Sequence, residues 1–451
     1  MPHFLMPKGS VMRRAHWAIW GYSWFTRLVM PLVVWRAWWR GRREPLYRHN
    51  LWQRLGFAYP EIKAEAPVIW LHAVSLGETR AAAKLIQQIH ATYPDARLLL
   101  THFTATGFAE GVTYLREGDL HVWAPWDSPA VVRRFLDRFK PRIALLMETE
   151  VWPNWMRALN HRDIPVLLVN GRLSERSMHK ALKVAALAQP AFAAFTHVLA
   201  QSESDAERFK VVGAGVTWVT GNLKFDLALN ASLLDMGRAW RRRLQKPVVI
   251  FASSRESEEQ LWLNTWQRLH AQGLADHVHW LLVPRHPDRF ETVCELIEAS
   301  GLTVSRRSAW QVDGPGAADC SADVWVGNSV GEMHLYFGMS DVTLMGGSFG
   351  PFGSQNFIEA VACGCPVVVG PSTFNFSDAA QRLMTAGCLV QSRDISEAAG
   401  IALDWVKRPA LLDSMRRAGQ AEMAQQRGAT QRTMDLIASS LTPKGSGTAP
   451  L

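Results

Sequence analysis

The feature that most constrains this chain is a repeated alternation of short apolar runs with longer helical stretches. Val68 to Ala73, Leu98 to Phe103, Ile143 to Met147, Pro165 to Asn170 and His197 to Ala200 are such runs. A strand that is apolar on both sides of its pleat needs cover on both faces, and that is the situation of a parallel sheet between layers of helices. Crossovers in such sheets are right-handed. The alternation pauses in the charged helical stretch 228–246 and resumes at Val248 to Ala252 and His279 to Val283. The expected fold is therefore α/β with two Rossmann-like parallel-sheet domains facing a cleft, at 44–232 and 233–442. An N-terminal segment, 1–43, precedes them, and a polar tail, 443–451, is expected to be flexible. Ligands of such sheets lie beyond the carboxyl ends of the strands, so the loops after each run are the places to look for chemistry.

The densest such place is Val324 to Phe376, which reads as strand, helix, short strand, glycine loop, helix and strand. It contains Gly327-Asn328-Ser329-Val330-Gly331-Glu332, then Gly346-Gly347-Ser348-Phe349-Gly350, then Asn356-Phe357-Ile358-Glu359. Glycine lets backbone approach a ligand, and helix-start amides attract anions. Neither glycine loop is a Walker motif or a dinucleotide fingerprint. Asn356 and Glu359 fit a capping pair equally well as a grip on phosphate and ribose hydroxyls.

Charge narrows the partners. The formal net charge is +9, and residues 1–54 hold ten Lys and Arg against the single acid Glu44, so this segment carries the whole excess. A nucleic-acid surface spread over the body is excluded by that distribution. The same segment contains Trp17, Trp20, Trp24, Trp35, Trp38 and Trp39. Tryptophan with arginine suits the headgroup layer of an anionic membrane. Arg27 and Arg36 flank the apolar run Leu28 to Trp35, which is too short to span a bilayer, so an interfacial or shallowly inserted helix is expected. A spanning anchor with Arg27 snorkelling, or a helix packed on the body or a partner, are the alternatives. Five cysteines make no disulfide framework, and Cys363 and Cys365 lack zinc-ligand spacing.

Several residues at expected strand ends carry candidate chemistry. Glu78, after Ser75 and Gly77 at a helix start, is placed to accept a proton from a sugar hydroxyl, or else merely to cap amides. Burial would raise its pKa and the helix terminus would lower it. Glu148 and Glu150 end another run and could grip a sugar, or pair with Arg142 or Arg172. Arg255, Arg285 and His286 follow runs in the second domain, where an arginine fork suits phosphate or holds its own helix cap. No compact set of acids and histidines indicates a metal.

Taken together, the motifs resemble those of the bacterial 3-deoxy-D-manno-octulosonic acid (Kdo) transferases. The likeness covers about residues 15–435. It rests on His72-Ala73-Val74-Ser75-Leu76-Gly77-Glu78, Gly221-Asn222-Leu223-Lys224-Phe225-Asp226, Ser254-Arg255-Glu256-Ser257-Glu258-Glu259, Pro284-Arg285-His286-Pro287 and the glycine-rich stretch above. The resemblance implies a GT-B glycosyltransferase that moves Kdo from CMP-Kdo to a lipid A precursor with inversion, without a metal or other cofactor. It implies Glu78 as general base and Ser75, Gly77, Glu148, Glu150 and Arg172 on the acceptor side. On the CMP side it implies Lys224, Arg255, Arg285, His286, Ser329, Val330, Gly331, Glu332, Gly347, Asn356 and Glu359. It also implies the cytoplasmic face of the cell inner membrane and no obligate protein partner. Gln355 and Phe357 stand where relatives carry histidine and proline, and Ala73 where serine is common. The alternatives are a UDP-sugar enzyme of the same fold with a lipid acceptor, and a non-enzymatic membrane-associated nucleotide binder.

Overall fold

The structure is a computed structural model that describes residues 8–42, 44–61, 66–227 and 229–442, with side chains from residue 16 onward. The chain divides into two compact units, residues 1–226 with 428–451, and residues 227–427. The expected tail, 443–451, lies outside the described residues.

The first unit is built on strands β1 (Val68–His72), β2 (Arg97–His102), β3 (Leu120–Trp123), β4 (Ile143–Met147), β5 (Val166–Gly171), β6 (His197–Ala200) and β7 (Thr217–Val219). They form one sheet in the order β3-β2-β1-β4-β5-β6-β7, and every pair is parallel. β1 and β4 are buried along their whole length. One face packs Trp70, Phe135, Phe139 and Trp155, and the other packs Leu71, Leu85, Ile86 and Leu145. This two-sided core is why the strands read as unbroken apolar runs.

The second unit repeats the plan with β8 (Val248–Ser254), β9 (His279–Pro284), β10 (Val304–Arg306), β11 (Val324–Val326), β12 (Val342–Met345), β13 (Val367–Val369) and β14 (Leu389–Gln391). Their order is β10-β11-β9-β8-β12-β13-β14, again parallel throughout.

The domain limits differ from the expected 44–232 and 233–442. The stretch Pro409 to Ser440, whose sequence reads as helical throughout, is two helices, Pro409–Gln426 and Ala429–Leu441. Gly428 separates them at φ +85°, a conformation that suits glycine. Ala429, Met434 and Ile437 of the last helix complete the core of the first unit. Asp226 accepts from the N–H groups of Gly428 and Thr430, at 2.7 and 2.5 Å, and so ties the two chain crossings together.

The N-terminal helix runs Lys8–Arg40 and contains Pro31. It is anchored to the first unit near its middle. Ser23 is buried and donates to Asn154 Oδ1 at 2.8 Å, and Tyr22 hydrogen-bonds Asp127. Trp17, Trp20, Trp24, Phe25, Leu28, Leu32, Trp35, Trp38 and Trp39 remain exposed. Among the described residues no helix is long and apolar enough to cross a membrane. The stretch Leu46 to Leu55, whose sequence reads as a linker helix, is instead two short 3-10 turns, Pro45–Tyr47 and Leu51–Leu55.

Candidate active site

In the first unit the carboxyl ends of β1, β4 and β5 bring together a set of polar groups. After β1, Ser75 caps the helix Leu76–Thr92 by accepting from the Glu78 N–H at 3.4 Å. Glu78 turns back: Oε2 accepts from the Val74 N–H at 2.8 Å and Oε1 from the Ser75 hydroxyl at 3.0 Å. The capping role and the candidate base are thus one carboxylate. Burial, reinforced by the like charges of Glu148 and Glu150, lifts its pKa to about 8 against the opposing hydrogen bonds. Burial outweighs the hydrogen bonds from Val74 and Ser75 at the helix start. Gly77 is exposed on the first turn beside it.

Glu148 directly follows β4 with φ +56°, a strained setting for a glutamate, and such strain concentrates at functional sites. Lys224 Nζ stands 3.7 Å from Glu148 Oε1. Lys224, expected on the donor side, therefore belongs by position to the first unit and to the carboxylate cluster. Arg142 precedes β4 and Glu148 follows it, so the length of the strand separates them and they do not pair. Arg172 joins the same loop through its backbone, its N–H donating to Glu148 O at 3.3 Å. The Arg172 carbonyl accepts from the Thr149 hydroxyl at 2.7 Å. Glu150 accepts from the Trp152 indole N–H at 2.6 Å, and burial pushes its pKa up.

His72 was quoted within a motif but not singled out for chemistry. Its ring is fully buried against Phe103 and Trp155, with Nδ1 2.9 Å from Thr101 Oγ1. Burial lowers its pKa to about 3, so the ring is neutral. Its Nε2 has no hydrogen-bond partner and lies 4.0 Å from Glu150 Oε2. The sequence signal was its place at the end of an apolar strand, two residues after Trp70 on the same side of the pleat.

In the second unit Glu258 organises the glycine loop. It is buried, and its carboxylate accepts from the N–H groups of Arg255, Gly347 and Phe349 at 2.9, 2.8 and 3.0 Å. The Gly347 amide, in the loop expected on the donor side, is thus engaged by Glu258. Burial raises the pKa of Glu258 while these amides hold it down. Glu258 was read only as part of a motif, because sequence does not reveal that a charge at a helix start is buried.

Around this loop Arg255 Nη1 meets His286 Nε2 at 2.8 Å and its guanidinium lies over the Phe352 ring. Arg285 Nε donates to Gln355 Oε1 at 3.2 Å. Ser329 hydrogen-bonds Glu332 and Tyr336, and Glu332 pairs with Arg307 at 2.9 Å. Val330 is exposed, and Gly331 turns at φ +84°. Glu359 Oε1 lies 3.1 Å from His334 Nε2, while His334 Nδ1 accepts from the Asn230 N–H at 3.1 Å. Asn356 precedes the helix Phe357–Ala362 but makes no side-chain cap, and its buried Oδ1 has no partner. The capping-pair reading of Asn356 and Glu359 is therefore not what the structure shows. Among the described residues no group of three or more His, Cys, Asp or Glu is placed to hold a metal ion.

Comparison with known proteins fits this arrangement. Residues 49–227 match the family model described as 3-Deoxy-D-manno-octulosonic-acid transferase (kdotransferase). The 3-deoxy-D-manno-octulosonic acid transferase of Bordetella pertussis is 40% identical over 425 residues, covering 92% of this chain and 98% of that protein. The same-named protein of Haemophilus influenzae is 32% identical over 408 residues, covering 88% and 92%. Among solved structures, a S. aureus MnaA–UDP complex matches with TM-score 0.51 at 14% identity, covering 85% of this chain and 100% of that one. The glycotransferase of kitacinnamycin matches with TM-score 0.50 at 14% identity, covering 84% and 100%. At such identity these two likenesses speak for the fold, which is the GT-B arrangement of two parallel-sheet domains. With two relatives above 30% identity spanning nearly its whole length, this chain belongs to the 3-deoxy-D-manno-octulosonic acid transferase family.

Proposed function

We propose that this protein is an inverting glycosyltransferase that moves Kdo from CMP-Kdo to a lipid A precursor, lipid IVA, in lipopolysaccharide core synthesis. The observation that carries the reading is Glu78: a half-enclosed carboxylate at a helix start whose pKa is raised to about 8. A base matched to a weakly acidic hydroxyl works best when its own pKa lies near the working pH. In this reading the acceptor hydroxyl gives its proton to Glu78 as its oxygen attacks the anomeric carbon. The bond from that carbon to the phosphate oxygen breaks, and CMP departs with the electron pair. Ser75 and Gly77 frame the base, while Glu148, Glu150 and Arg172 border the acceptor sugar. Arg255 and Arg285, with His286, offset charge on the departing phosphate. Asn356, Glu359 and the turn Ser329-Val330-Gly331-Glu332 complete the donor side. The reaction assigns no metal, cofactor or obligate protein partner, and CMP-Kdo is a substrate.

The exposed tryptophans of the N-terminal helix and the arginines around them support an interfacial attachment to the anionic cytoplasmic face of the cell inner membrane. Mass analysis of products from purified protein, CMP-Kdo and lipid IVA tests the reading. A mass increase of one or more Kdo residues on the lipid is expected. Transfer from a UDP-sugar in competition, with none from CMP-Kdo, would overturn it.

A further inference from the structure

Lys224 sits on a short 3-10 turn, Leu223–Phe225, which three buried amides pin in addition to its own backbone hydrogen bonds. Asn170, the penultimate residue of β5, has φ +56° and is 1% exposed. Its Oδ1 accepts from the Leu223 N–H at 3.0 Å. Its carbonyl accepts from Gln201 Nε2 at 3.0 Å, and Gln201 Oε1 accepts from Asn222 Nδ2 at 3.0 Å. Asn222 Oδ1 then accepts from the Lys224 N–H at 2.9 Å. Gln201 and Asn222 are buried as well, and Leu223 and Phe225 anchor the flanks of Lys224 in the core. The far end of the loop is held by Asp226 and the last helix.

We propose that Asn170 is a positioning residue, which fixes the loop 221–226 so that Lys224 stands against Glu148 beside the candidate base. The inference rests on the reading of Glu78 and its neighbours as the reaction centre. Two features of Asn170 favour this over a purely structural amide. Asparagine is among the few residues other than glycine that tolerate a left-handed backbone, and the site uses both that backbone and the side-chain oxygen. In addition, its buried Nδ2 has no partner, a cost that a residue chosen for stability alone would not carry.

The test is a double-mutant cycle. Asn170→Gly keeps the backbone conformation and deletes the oxygen. The expected result is a fall in kcat/KM of about 10²-fold, the order associated with misplacing a reacting group by about 1 Å. On a Lys224→Met background the same change should cost nothing more, because it acts only through Lys224. Gln201→Met, which leaves Asn170 in place, serves if Asn170→Gly does not fold, and thermal unfolding reports which applies. Equal losses on both backgrounds, or a lowered Tm with unchanged kcat/KM, would overturn the proposal. A crystal structure of the variant reads the placement without any turnover: the Lys224–Glu148 separation should open beyond 4 Å, and an unchanged separation sinks the idea even if CMP-Kdo is the wrong donor. Absence of CMP-Kdo turnover in the wild type, by contrast, counts against the proposed function and not against this loop.

Discussion

In the proposed reaction two demands meet on Glu78, which holds the Val74 amide and the Ser75 hydroxyl at a helix start and would also take a proton from an alcohol. Replacing it with glutamine preserves an acceptor for Val74 but removes the base. A fall in kcat of about 10²–10⁴-fold is expected, with CMP affinity unchanged by calorimetric titration. The pH dependence follows from its raised pKa. The active form is deprotonated, so kcat/KM should climb with pH and level off above about 8. Glu148→Gln removes a like charge from its surroundings, which should move that inflection to lower pH, measured across pH 5 to 10. The position of Glu78 was legible in sequence from a strand, a small-residue turn and a helix start. The outcome of burial against capping was not, because it depends on Glu148 and Glu150, some seventy residues away in the chain, arriving at the end of a neighbouring strand.

At the level of elements, the buried Glu258 replaces water and phosphate alike as the partner of the glycine loop. Removing it by Glu258→Ala strands three amides, and an unmade bond to a buried donor costs about 1–3 kcal/mol. A loss of about 2–5 kcal/mol in unfolding free energy is expected, together with weaker CMP binding, while Glu258→Gln should recover part of both. Strands β1, β4, β6 and β9 were readable because burial on both faces forces a continuous apolar run. β10 (Val-Ser-Arg) and β14 (Leu-Val-Gln) escaped notice because an edge strand of three residues needs no such run. The break at Gly428 was hidden by good helix formers on both sides, and only the tertiary destination of the second piece reveals it.

For the molecule as a whole, the exposed aromatic side of the N-terminal helix and its anchoring through Tyr22 and Ser23 make separable claims. Trp17→Ala combined with Trp20→Ala should weaken sedimentation with anionic vesicles without lowering Tm, since both rings are exposed. The helix was legible as basic and aromatic, but its buried attachment to Asp127 and Asn154 was not, because a single serine or tyrosine carries no periodic signal.

The clasp of Asp226 on Gly428 and Thr430 has one more consequence. Residues 227–427 leave and re-enter through a single knot, so this half of the protein is topologically a graft on a host that is otherwise continuous. Joining 226 to 428 by a few glycines should yield a host that still folds, with the amide-exchange protection of its central strands retained. Stopping the chain at 427 should not, for the host would lose the layer that Met434 and Ile437 supply. Evolution could then exchange the graft without disturbing the host.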